Sequence, residues 1–139
     1  MRIRIGRRAA MAVAVGTATL GAMALTAGGA QADAPPGGVE ACPANSVCLY
    51  YNSPGAGWGS FENFSPGLRG LDLSLFKFSH WANGSGYGKV IYGDAASIVN
   101  NTNDYVKIYL VNQPYYVDFM PGYAGSLNDA WNNDKIMYT

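Results

Sequence analysis

Histidine is nearly missing from this 139-residue chain; His80 is the only one. Catalytic triads and zinc peptidase sites need a positioned imidazole, so few hydrolytic designs remain open. The signatures that would mark one, G-x-S-x-G, H-E-x-x-H or a phosphate-binding loop, do not occur. Cysteine is as scarce, with Cys42 and Cys48 the only two. Two Cys and one His fall short of the four ligands that structural zinc takes. Basic residues are sparse after the first eight positions: Arg69, Lys77, Lys89, Lys107 and Lys135 stand far apart. Without a basic cluster, neither nucleic acid nor an anionic membrane is an expected partner. A 3.6-residue apolar period with caps is also missing after residue 32, which excludes a helical domain.

What is present begins with an export pattern. Residues 1–8, MRIRIGRR, carry four of the nine Lys and Arg, and an uncharged run rich in Ala, Val, Leu and Thr follows. It closes on Ala30-Gln31-Ala32, a small-x-small exit before Asp33. These three parts predict a secretory signal over 1–32, cleaved after Ala32. The run approaches the roughly 20 residues of a membrane span, but Ala, Gly and Thr dominate it. Arg7-Arg8 leaves the twin-arginine route open beside the general one, and Glu40 before Cys42 rules out a lipobox. The remaining 107 residues hold five basic and nine acidic side chains, a net charge of −4, and all 18 aromatics. That is core enough for one small domain. In an oxidising compartment Cys42 and Cys48 are expected to pair, with Pro43 and Asn45 favouring a turn between them. Two free thiols are the alternative.

An internal repeat organises the rest. Residues 33–41, DAPPGGVEA, read as a flexible leader. Val47-Cys48-Leu49-Tyr50-Tyr51 and Val106-Lys107-Ile108-Tyr109-Leu110 each alternate like a half-buried strand. Beyond each lies F-x-P-G-x-x-G, at Phe64–Gly70 and Phe119–Gly125, offset by 55 positions. Asp94–Ile98 and Asp134–Tyr138 correspond more loosely. One supersecondary unit used twice is the natural reading. The expected fold is all-β, an antiparallel double Greek-key sandwich with units at about 42–104 and 105–139. The first unit carries extra chain, Ser79–Gly93, with Asn83-Gly84 read as a hairpin tip.

The run Cys42-Pro43…Cys48-Leu49-Tyr50-Tyr51-Asn52-Ser53 resembles the opening of secreted actinobacterial proteins of peptidase inhibitor family thirty-six. Trp58-Gly59-Ser60-Phe61 and Ser97-Ile98-Val99-Asn100-Asn101-Thr102 fit the same picture, and the resemblance covers most of 41–139. It implies a βγ-crystallin-like fold and an extracellular inhibitor of peptidases, above all metallopeptidases. A second disulfide braces the binding region of the family's type member, whereas this chain has no further cysteine. Such an inhibitor is a monomer without cofactor or catalytic residues. It presents rigid loops, for which Gly57, Trp58, Trp81 and Tyr87 are the candidate contacts. Core packing is the competing role for Trp58.

βγ-crystallins bind calcium through N/D-N/D-x-x-S/T-S. Here the corresponding positions are Asp94 and Ser97 in one half, Asn133 and Asp134 in the other, with ligands lost from both. Calcium takes six to eight oxygens, so weak binding or none is expected, and Asx turns explain the carboxylates as well. The runner-up function is a non-inhibitory extracellular module touching cell wall, carbohydrate or calcium. Tyr105, Tyr115, Tyr116, Asn112 and Asn132 suit sugar stacking and hydrogen bonding. Asn63, Asn83 and Asn100 each open an N-x-S/T acceptor sequence.

Overall fold

The computed structural model describes residues 34–67, 69–131 and 133–138. The export signal expected at 1–32 lies outside them. Among the described residues the strands are β1 (Val47–Tyr50), β2 (Phe61–Phe64), β3 (Leu71–Asp72), β4 (Ser97–Asn100), β5 (Val106–Leu110), β6 (Tyr116–Phe119), β7 (Ala124–Ser126) and β8 (Asn133–Tyr138). They form two antiparallel four-stranded sheets, ordered β2-β1-β4-β7 and β3-β8-β5-β6. The all-β expectation holds. Among the described residues no helix is long and apolar enough to cross a membrane.

The repeated phrase marks equivalent places. Phe64 closes β2 and Phe119 closes β6. In each case Pro-Gly then turns the chain, with Gly67 at φ +86° and Gly122 at φ +78°. The fourth strand of each half lies beside the first, β4 on β1 and β8 on β5. The third strand leaves its own half: β3 pairs with β8, and β7 pairs with β4. Each sheet is therefore completed by the other half. Val47, Leu49, Phe64 and Ile98 from one sheet and Val106, Ile108, Phe119 and Ile136 from the other meet in one core.

β5 alternates as the sequence predicts, with Val106, Ile108 and Leu110 inward and Lys107 and Tyr109 half-exposed. β1 does not; all four of its residues are buried. Its second face lies under a separate cluster of Cys42, Cys48, Tyr50, Trp58, Phe61 and Val99. The Cys42–Cys48 disulfide, with Cα atoms 5.8 Å apart, pins the N-terminal edge of this layer. Burying apolar area on both faces of a four-residue strand gives that sheet more stabilisation than its length suggests.

Candidate functional site

Two loops leave this second layer and fold against each other. The first runs from Asn52 to Ser60. Its 3-10 turn Pro54–Ala56 ends on Gly57 at φ +83°. Trp58 follows at φ +65° and Gly59 at φ +81°. Three successive left-handed residues curl the chain tightly, and for a tryptophan that conformation is costly. The indole is repaid by burial: Trp58 is 4% exposed and meets Tyr50 edge-on, ring centroids 5.1 Å apart. A side chain at Gly59 would sit 3.0 Å from the Ser85 carbonyl and 3.1 Å from the Asn52 amide nitrogen, so glycine is required there.

The second loop, Trp81–Gly88, lies within the extra chain of the first unit. The turn closes through Gly84 N–H to the Trp81 carbonyl, 2.6 Å, with Ala82 left-handed at φ +46°. The tip is thus centred on Ala82-Asn83, one residue before the Asn83-Gly84 of the sequence reading. No regular strands flank it; isolated bridges Phe61↔His80 and Lys77↔Val90 close its base. The Trp81 indole lies over Gly84, where a Cβ would meet Cζ2 at 2.6 Å. Tyr87 leans on the indole with centroids 5.2 Å apart and planes at 57°. Both rings face solvent, Trp81 58% exposed and Tyr87 51%.

Four hydrogen bonds brace one loop on the other. Ser60 N–H donates to the Ser85 carbonyl (2.9 Å) and Ser60 Oγ to the Trp81 carbonyl (2.8 Å). Asn52 Nδ2 donates to Ser85 Oγ (2.9 Å), and Asn83 Nδ2 to the Gly57 carbonyl (3.1 Å). Below them, Tyr51 lies against Gly86 and carries the Lys89 ammonium 4.5 Å over its ring. The hydrogen bond with the Tyr51 hydroxyl pushes the Lys89 ammonium above its usual range. The pair forms a cross-braced platform with an aromatic edge. Gly57, Trp81 and Tyr87 fall on it together, while Trp58 points inward beneath it. Asn52, Ser60 and Ser85 do the bracing and carry no sequence signal of their own; only the Ser-Gly and Asn-Gly turn residues around them hint at it.

The four degenerate calcium positions do not converge in this way. Asp94 is exposed in a turn. Ser97 is buried and its hydroxyl donates to the Asn52 carbonyl at 2.6 Å. Asn133 is buried, its amide donating to the carbonyls of Ala95, Ala130 and Trp131 at 2.8, 3.2 and 3.0 Å. The Asp134 side chain lies outside the described part. Among the described residues no three His, Cys, Asp or Glu side chains gather where a metal ion could sit. Asn100, in the other half, also ties backbone together: its amide nitrogen reaches the carbonyls of Asp104, Phe119 and Met120, and its oxygen accepts from Thr102. Fully buried, Asn100 cannot take a glycan; among the three acceptor sequences Asn83 is the exposed one.

The structure is a small disulfide-closed β-sandwich with two cross-braced loops on its outer layer. The chain belongs to peptidase inhibitor family I36, whose model matches residues 35–116. The match spans the disulfide, both platform loops and β1 to β5. Membership implies a peptidase inhibitor and a peptidase as partner. A search of curated proteins and of solved structures finds no match.

Proposed function

We propose that the protein is exported and blocks the active-site cleft of an extracellular metallopeptidase with the platform of Asn52–Ser60 and Trp81–Gly88. The observation that carries this reading is the cross-bracing of the two loops, Ser60 to Ser85 and Trp81, Asn52 to Ser85, and Asn83 to Gly57. Loops fixed before binding lose little entropy in the complex and resist entering the cleft as substrate. Trp81, exposed and backed by Tyr87, is the aromatic anchor of such a face. Trp58 supports it from below. Occlusion, not zinc removal, is the mechanism: both cysteines are bridged, His80 is the only histidine, and among the described residues no chelating cluster gathers.

The test is titration of thermolysin-type, subtilisin-type and trypsin-type peptidases with the purified protein. Stoichiometric inhibition of the thermolysin type, unchanged by added zinc, is expected. If every class keeps its activity at micromolar inhibitor, the reading fails, and a non-inhibitory extracellular module is the better account. The intact mass of the product in culture fluid tests export; it should begin at Asp33.

A further inference from the structure

The platform stands on the outer face of the β2-β1-β4-β7 sheet, over the cluster of Tyr50, Trp58 and Phe61. The β3-β8-β5-β6 sheet has an outer face of its own. Successive side chains of a strand alternate between faces, and residues in register share one. Val106, Ile108, Phe119 and Ile136 point into the core. Their neighbours Lys107 and Tyr109 on β5 therefore point outward. In register with them are Asp118 and Tyr116 on β6, and Met137 and Lys135 on β8.

Two tyrosines make a corner on this face. The rings of Tyr109 and Tyr116 have centroids 5.2 Å apart and planes at 54°. The Lys107 ammonium lies 4.5 Å from the centre of the Tyr116 ring and 3.4 Å from the Asp118 carboxylate. The lysine side chain is 17% exposed and Tyr116 is 41% exposed. The ring thus covers the cation, and its other face is turned to solvent. Attraction between the ammonium and the ring holds the tyrosine in that pose. A tyrosine held so offers flat, amphipathic contact area at little cost in conformational entropy.

The charges of the face cancel. Lys107 is answered by Asp118, and Lys135, opposite Tyr109, is in register with Asp72 on β3. A strongly charged ligand finds no uncompensated partner there. A wholly apolar one would strip water from the Lys107–Asp118 pair without replacing it. The ligand that fits is neutral and flat, with C–H groups on its faces and hydroxyls on its rim. C–H groups meet the negative face of an aromatic ring, and hydroxyls both donate and accept beside phenols, an ammonium and a carboxylate. A pyranose ring is built that way. We propose that the Tyr109–Tyr116 corner is a binding site for a neutral polysaccharide, with a sugar ring on the solvent face of Tyr116 and its edge against Tyr109. The site lies on the opposite side of the sandwich from the platform, so a bound glycan leaves the platform free. It does not depend on whether the platform inhibits a peptidase.

The test is to follow amide chemical shifts of the isotope-labelled, purified protein while cellohexaose, N-acetylchitohexaose or xylohexaose is added at millimolar concentration. At least one of the three should move the amides of Lys107, Tyr109, Tyr116 and Asp118 and leave those of Gly57, Asn83 and Tyr87 in place. Polygalacturonate, an anionic glycan, should move none of them. Tyr116→Ala should weaken binding about tenfold, the loss of a stacking contact, and Tyr109→Ala should weaken it as well. Trp81→Ala, on the platform, should bind like the parent. The site is overturned if no neutral oligosaccharide shifts these amides, if the shifts centre on the platform, or if polygalacturonate binds as well as the neutral sugars. Unchanged binding by folded Tyr116→Ala overturns it too. So does sedimentation showing a dimer that Tyr116→Ala dissolves, since the face would then be covered by a second copy of the chain.

Discussion

The tryptophans of the two paired loops have opposite surroundings. Trp58 is sealed against Tyr50, whereas Trp81 lies on the surface over Gly84. Removing a buried Trp side chain costs about 3–5 kcal/mol, so Trp58→Ala should lower the denaturation midpoint sharply. Trp81→Ala should stay within about 0.5 kcal/mol of the parent in stability, as exposed positions do. Its inhibition constant should rise about 30-fold or more, the scale of an anchor worth 2 kcal/mol. Thermal melts and inhibition titrations of the two variants separate the roles. Buried phenols make a second residue-scale prediction. Burial pushes Tyr50 and Tyr138 up to about 12 from 10. Both folded values exceed the unfolded one, so the contribution is intact below pH 10 and is lost as the pH climbs through 12. Melting temperature should hold to about pH 10 and then fall, and Tyr138→Phe should flatten part of that fall.

At the scale of the element, the disulfide and the platform belong to one layer. Cys42 and Cys48 pack with Trp58 and Phe61 on the outer face of β1, not in the main core between the sheets. The bridge closes a loop of sequence separation six, so its stabilisation is expected at or below the usual ~2–4 kcal/mol. Reduction should loosen this layer first. Hydrogen exchange should rise at Asn45, whose N–H bonds the Asn101 carbonyl, and at Tyr51, bonded to Ser60. Ile108 and Ile136, in the facing strands of the other sheet, should keep their protection. Uniform loss of protection would show that the outer layer and the main core are one cooperative unit.

At the scale of the whole molecule, the two halves are not separable modules. Among the described residues β3 pairs with β8 alone, and β7 with β4 alone. A fragment ending near residue 104 keeps β1, β2 and β4 but leaves β3 without a partner and half of the apolar core open to water. Such a fragment should give no cooperative melt and no dispersed amide spectrum. The full protein should unfold in a single transition.

Much of the fold was legible from local signals. The doubled F-x-P-G-x-x-G phrase works because proline and a left-handed glycine make the same turn wherever they occur, so Phe64 and Phe119 end equivalent strands. The disulfide followed from two cysteines in a chain whose first residues carry an export pattern. The exchange of third strands was not legible, since β3 is two residues long and nothing in Leu71-Asp72 names its partner. Nor was burial on both faces of β1: alternation reports that one face is apolar, and only the arriving loops decide whether the other is covered. The site divided the same way. The sequence offered Gly57, Trp58, Trp81 and Tyr87 by residue type alone. Which indole faces solvent, and that Ser85 joins loops 25 residues apart, was decided by tertiary structure. Exposure and long-range hydrogen bonding are properties of neighbours in space, and a chain fixes those only after it has folded.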